Sequence, residues 1–206
     1  MSARIENGLV IGNTYDKYGS NNPIARRLMN GFLQSLSALV NLTNAKTIHE
    51  VGCGEGHLSN FINSQKFHVR GTDVSKQVIL DAQRSYPDID FVQKSIYDLE
   101  GGTDHADLVV CCEVLEHLEN PELALDVLSN LNANSYIFSV PREPIWRCLN
   151  MSRGKYLTSF GNTPGHLNHW STNSFITFIE TSFHIEKVLK PLPWTMILCS
   201  CKRDLV

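Results

Sequence analysis

The stretch TIHEVGCGEGHLSNFINSQKFHVRGTDVS, Thr47 to Ser75, constrains this chain more than any other. Thr47-Ile48-His49-Glu50-Val51 is a short β-prone run that predicts a strand. Gly52, Gly54 and Gly56 follow at alternate positions, and a helical pattern opens at His57, with Leu58, Phe61 and Ile62 apolar at i, i+3 and i+4. Phe67 to Thr72 predicts a second strand, with Asp73 at its C-terminal end. A strand–helix–strand unit of this length is a right-handed crossover in a parallel sheet, whose ligands bind at the C-terminal strand edge.

The residue types say what kind of ligand. Glycine lets the backbone turn at positive φ and admits close approach. The helix behind it offers free N–H groups and a positive dipole end. An acid after the second strand can accept two hydrogen bonds from a vicinal diol such as ribose. A dinucleotide fingerprint needs a third glycine at position 57, where this chain has His57. The pattern is instead Glu50-x-Gly52-x-Gly54-x-Gly56, followed by Asp73. Glycines at this spacing are on their own only a turn; with the flanking strand, helix and acid they predict a nucleoside site.

The 206 residues suffice for one α/β domain with a full core. With 42% hydrophobic and 19% charged residues, the composition is that of an ordinary globular protein. A net charge of −3 argues against a general nucleic-acid or membrane-surface binder. No apolar run reaches spanning length, and the N-terminus lacks a signal-peptide pattern. The six cysteines include no C-x-x-C pair, which reads as free thiols in a reducing, cytoplasmic setting.

The remaining segments follow the same unit. Residues 1–22 read as polar and irregular. From Ile24 to about Asn41, Ile24, Leu28, Phe32, Leu36 and Leu39 recur at helical spacing after Pro23. Ser75 caps a predicted helix to about Arg84, and Ile89 to Val92 forms the third strand. Asp107 to Cys112 (DLVVCC) is a continuous apolar run, as a central strand requires. Asn120-Pro121-Glu122 opens a helix. Ser135 to Val140 is the fifth strand, Thr172 caps a helix to Glu180, and Phe183 to Leu189 and Trp194 to Cys201 are the last two strands.

Between Pro141 and Trp170 lies a long section read as loop, broken by Gly154, Gly161, Pro164 and Gly165. Loops this long are uncommon unless functional. It carries Arg142, Trp146, Arg147, Tyr156, His166, His169 and Trp170, groups suited to gripping a polar or aromatic ligand. His166 and His169 are three apart, but no cysteine or carboxylate lies nearby in sequence, so no metal is expected. A histidine near neutral pKa suits proton removal, which makes His169, then His166, the candidate catalytic bases.

The glycine pattern resembles motif I of the class I methyltransferases that use S-adenosylmethionine. The run CCEVLEHLENPELAL, Cys111 to Leu125, is similar to the matching stretch of the ubiquinone- and menaquinone-type small-molecule methyltransferases. The resemblance covers roughly residues 45–201. It implies an α/β Rossmann-like three-layer sandwich, a seven-stranded mostly parallel sheet of order 3-2-1-4-5-7-6, in one domain over 1–206. Residues 1–44 would be lid and helix, and 141–170 a substrate cover.

The resemblance also implies S-adenosylmethionine as cofactor and a small-molecule methyl acceptor, in a monomer or homodimer. The implied cofactor set is Glu50, Gly52, Cys53, Gly54, Gly56, Asp73, Val74, Ser95, Ile96, Cys112 and Glu113. Ser95 stands where the family usually carries an acid beside the adenine; a hydroxyl still accepts one hydrogen bond. Tyr18, with Tyr15, could lie against the sulfonium by cation–π attraction. The candidate acceptor contacts are His117, Arg142, Trp146, Tyr156 and Trp170. The rival reading is a regulatory protein that keeps the nucleoside pocket and methylates nothing. A nicotinamide-dependent oxidoreductase is disfavoured by His57.

Overall fold

The computed structural model describes residues 22–202, and the backbone of two short strands before them. Those strands, β1 (Arg4–Glu6) and β2 (Leu9–Ile11), pair antiparallel, where the sequence predicts irregular chain. The intervening dipeptide Asn7-Gly8 is a hairpin signal in sequence. Two three-residue strands carry too little alternation to reveal it.

Helix α1 (Pro23–Val40) starts where its residues demand. Asn22 caps it, its side chain accepting from the Ile24 amide at 2.9 Å, and Pro23 occupies the first turn. Phe32, Leu36 and Leu39 face the sheet and are buried. Each fully buried leucine stabilises the fold by about 1.5–3 kcal/mol. Ile24, expected on that stripe, is 69% exposed.

The main body follows in chain order: β3 (Thr47–Val51), α2 (His57–Asn63), β4 (His68–Asp73), α3 (Lys76–Ser85), β5 (Asp90–Gln93), β6 (Leu108–Cys112), α4 (Pro121–Ser129), β7 (Ser135–Pro141), α5 (Ile145–Ser152), α6 (Thr172–Ile179), β8 (Phe183–Leu189) and β9 (Trp194–Cys201). The seven strands pair in the order β5-β4-β3-β6-β7-β9-β8, which is the expected 3-2-1-4-5-7-6. Strands β5 to β7 run parallel, and β9 is antiparallel to both its neighbours.

Alternation along the central strands builds the two faces. On β6, Leu108, Val110 and Cys112 join one core with α1, α2 and α3, while Val109 and Cys111 join the other with α4 and α6. Leu108, Val109, Val110 and Cys111 are fully buried, as a strand covered on both faces requires.

Two local expectations change. The section after β7 is not all loop: Ile145–Ser152 is helical as α5, and a 3-10 turn spans Leu157–Ser159. Its glycines cluster after residue 153, so they punctuate the far half only. Helix α6 is capped by Ser171, not Thr172, the Ser171 hydroxyl accepting from the Ser174 amide at 3.2 Å.

Candidate cofactor and acceptor site

The C-terminal ends of β3, β4 and β6 carry the glycine turn, Asp73 and Glu113. The turn is anchored from below. The amides of Gly52 and Cys53 both donate to the Thr72 carbonyl, at 2.7 and 3.0 Å, and Gly56 donates to the Cys53 carbonyl at 2.9 Å. Asp73 reaches across: Oδ2 accepts from the Gly54 amide at 3.0 Å, and Oδ1 from the Ser75 amide at 2.9 Å.

The glycines divide by cause. Gly52, Gly54 and Gly56 all have positive φ. A side chain on Gly52 would run into Val114, and one on Gly56 would come within 2.6 Å of Phe91. At Gly54 a Cβ would meet no protein atom within 4 Å. The protein itself requires the outer two, whereas the space beside Gly54 is open for a ligand. A turn with an open face, backed by a carboxylate that fixes its amide, fits the nucleoside end of S-adenosylmethionine.

Glu50 lies beneath the turn, 3% exposed, and accepts a short hydrogen bond from the Ser59 hydroxyl on α2. Burial, opposed by that bond and reinforced by the Asp73 charge, pushes its pKa up to about 8. Cys53 is buried and its thiol pKa is raised by burial first and the Glu50 and Asp73 charges next. His57, at the third-glycine position, binds the Tyr86 hydroxyl at 2.8 Å and so ties α2 to the end of α3. Val74 is exposed and Ile96 buried. The Ser95 hydroxyl accepts from the Tyr97 amide at 3.2 Å, starting the turn after β5. Tyr15 and Tyr18 lie outside the described residues.

At the end of β6, Cys112 is buried, and burial raises its thiol pKa. Glu113 has φ 60°, a left-handed conformation uncommon for this residue type. Its amide donates to the Ser139 carbonyl at 3.0 Å, and its Oε2 accepts from the Trp194 indole at 2.7 Å. Trp194, read from sequence only as a strand start, therefore sets this side chain; a two-residue contact between distant strands leaves no sequence signal.

The 141–170 section is tied together internally. Asn150 donates to the Gly161 carbonyl at 2.9 Å and to the Thr163 hydroxyl at 3.1 Å, which also accepts from the Trp146 indole at 2.9 Å. Trp146 stacks on His166, with centroids 5.9 Å apart, and tilts against Trp194. Arg142 and Trp170 pair by backbone, and the Trp170 ring packs on Phe175 and Phe178 of α6. Trp170 thus anchors the end of the 141–170 section. Tyr156 is half-buried, with a left-handed backbone.

The two candidate bases separate. His166 is buried and sits against His117 and Glu116. His169 is exposed, and its Nε2 bonds the Asn162 side chain at 2.7 Å. Partial desolvation, then the Arg147 charge, lower the His169 pKa. Two shallow clefts line α1, at Asn30, Leu33 and Gln34 among others, and include no residue of the glycine turn. Among the described residues, no helix is long and apolar enough to cross a membrane.

Residues 49–134 match the family described as a methyltransferase domain. Ubiquinone biosynthesis O-methyltransferase of Paraburkholderia xenovorans (strain LB400) is 32% identical over 129 residues, 52% of this chain and 54% of that protein. Its counterpart in Rickettsia typhi (strain ATCC VR-144 / Wilmington) is 34% identical over 92 residues, 42% of this chain and 37% of that protein. The match thus spans about half or less of these curated relatives.

Among solved structures, magnesium protoporphyrin IX methyltransferase from Synechocystis PCC 6803, with bound S-adenosylhomocysteine, superposes with a TM-score of 0.66 at 18% identity, over 89% of this chain and 90% of that one. N-methyltransferase NodS from Bradyrhizobium japonicum WM9 does so at 0.66 and 16%, over 89% and 99%. These likenesses are of fold. The matched domain, the sheet order and a glycine turn joined to an acid make the chain similar to the class I S-adenosylmethionine-dependent methyltransferases, whose fold it shares.

Proposed function

We propose that this chain transfers the methyl group of S-adenosylmethionine to an oxygen or nitrogen of a small-molecule acceptor. The observation that carries it is the single hydrogen-bonded unit of Gly54 and Asp73, open above Gly54. Glu50, Gly52, Cys53, Gly54, Gly56 and Asp73 form the wall for the amino-acid and ribose parts, and Val74, Ser95 and Ile96 for the adenine. Cys112 and Glu113 border the reacting end. When bound, the cofactor supplies a methyl group on a positively charged sulfur.

The chain's own work is then alignment and exclusion of water. The cover brings Arg142, Trp146 and Tyr156 toward the acceptor, with His117 at its edge. His169, held neutral at pH 7 by its lowered pKa, is ready to accept a proton from an acceptor hydroxyl or amine. The curated relatives methylate oxygen by name, which favours oxygen over nitrogen. The charge balance disfavours nucleic acid as acceptor. Six free cysteines fit a reducing, cytoplasmic setting.

Calorimetric titration with S-adenosylhomocysteine, against NAD as control, tests the first half: saturable binding of the former alone is expected, and its failure overturns the proposal. A screen of phenols and amines with isotope-labelled S-adenosylmethionine tests the second. Binding with no acceptor methylated by any class would favour the regulatory reading.

A further inference from the structure

We propose that Asp104 is the positioning residue for the adenine end of the cofactor, its buried carboxylate drawing both ends of the turn after β5 onto the sheet. The inference rests on the proposed cofactor site, in which Ser95 and Ile96 border the adenine.

Asp104 lies in the connection from β5 to β6. It is 1% exposed, and its side chain is closed off from solvent. Four groups converge on it. Oδ2 accepts from the Lys94 ammonium at 2.7 Å, the Glu100 amide at 2.8 Å and the Thr103 hydroxyl at 3.1 Å. The Arg70 guanidinium on β4 lies 3.2 Å from Oδ1. Burial by itself would raise the Asp104 pKa, but the Lys94 ammonium, the Glu100 amide and the Thr103 hydroxyl outweigh it and hold the group below its ordinary value. Asp104 is therefore a carboxylate at neutral pH.

Two of these partners decide what it does. Lys94 directly precedes Ser95, and Glu100 directly follows Leu99. One oxygen thus holds the residues on either side of segment 95–99. Inside that segment the Asp98 amide donates to the Ser95 carbonyl at 3.0 Å, closing the 3-10 turn Ile96–Asp98, and Ile96 and Leu99 are buried. The Lys94 amide donates to the Asp73 carbonyl at 2.9 Å, so the residue that Asp104 grips also abuts the acid proposed to hold the ribose. Burying a charge costs desolvation that ion pairing only about offsets, so stability does not explain a carboxylate here. Geometry does: a turn tied at both ends to one fixed point keeps its binding groups in place before the ligand arrives.

The main chain of Asp104 reaches the other wall of the site. Its carbonyl lies 3.0 Å from His49 Nδ1, and His49 Nε2 lies 2.9 Å from the Thr72 hydroxyl. A carbonyl can only accept, so Nδ1 carries the proton and Nε2 accepts from Thr72. The Thr72 carbonyl in turn holds the amides of Gly52 and Cys53. Replacing the Asp104 side chain removes the hold on segment 95–99 and keeps the carbonyl that leads to the glycine turn. The two halves of the ligand should therefore respond separately.

The test compares S-adenosylhomocysteine with S-ribosylhomocysteine, the same molecule without its base, by calorimetry on the full chain. Asp104→Asn and Lys94→Met should each weaken S-adenosylhomocysteine binding about tenfold, as for one lost base hydrogen bond, and change S-ribosylhomocysteine binding less than about twofold. Lys94→Arg, which keeps the charge, should match the parent. Asp90→Asn should match it too, since it removes the exposed carboxylate 3.4 Å from Arg70 and leaves the Lys94 and Glu100 contacts alone. Circular dichroism reports folding. Should Asp104→Asn not fold, Lys94→Met at a half-buried position carries the test. Equal losses for both ligands, or none for either, overturn the proposal and leave a structural ion-pair cluster. Parent protein that binds S-adenosylhomocysteine no more tightly than S-ribosylhomocysteine also overturns it, because no base contact then exists to position. Parent protein that binds neither ligand overturns the cofactor site itself, and this proposal with it.

Discussion

Asp73 binds two backbone amides with its two carboxylate oxygens, so it shapes the glycine turn as well as offering acceptor sites to a diol. Asp73→Ala should therefore weaken S-adenosylhomocysteine binding by about 1.5–3 kcal/mol for each charge-assisted hydrogen bond lost. Calorimetry reads this directly, and an unchanged dissociation constant would remove Asp73 from the site. Glu50 makes a different prediction. Its folded pKa of about 8 lies above its ordinary 4.5, so between those values the folded chain holds a proton that the unfolded chain releases. Stability should fall as pH rises through that window, by up to about 1.4 kcal/mol per unit. Glu50→Gln lacks this slope. Urea midpoints at pH 5 and pH 8 should diverge for the parent and differ less for the variant; parallel behaviour would show Glu50 ionised throughout.

At the scale of elements, the glycine turn and the cover respond differently to substitution. Gly54→Val costs the left-handed penalty of roughly 1–2 kcal/mol, but its Cβ meets no protein atom within 4 Å. It should stay folded by circular dichroism and lose S-adenosylhomocysteine binding at least tenfold. Gly52→Ala drives a methyl into Val114 and should lower the melting temperature more than Gly54→Val does. Equal binding in Gly54→Val and parent would make the turn purely structural. In the cover, His169→Ala should reduce kcat by about 10²–10⁴ and remove the acidic limb of the pH–rate profile, while sparing cofactor affinity. Because its pKa is lowered, that limb should lie below the ordinary histidine range. Full turnover in the variant from pH 6 to 9 would assign proton removal elsewhere.

For the whole molecule, a ligand that binds only the folded chain must stabilise it. S-adenosylhomocysteine at a hundred times its dissociation constant should add about 2.7 kcal/mol, raising the melting temperature by several degrees. NAD at the same concentration should not. A shift with NAD and none with S-adenosylhomocysteine would return the oxidoreductase reading that His57 disfavours.

The sequence by itself determined the strand positions and the glycine turn, because both are written in local periodicity; the sheet order was implied by the family resemblance. β3, β8 and β9 fall on their expected residues, and the other core strands within about two, since apolar runs and glycine spacing act over a few neighbours. The same locality misplaced the α6 cap by one residue and hid α5, whose helical segment sits in a stretch dominated by distant glycines and prolines. Only the tertiary structure decided the partners. Trp194 holds Glu113, 81 residues away in sequence, and Asn168 fastens the 141–170 section to the turn after β6 across 53. It also separated His166 from His169 and set His166 beside Glu116 and His117. Contacts between segments that far apart follow from how the strand ends converge, and no residue spacing records them.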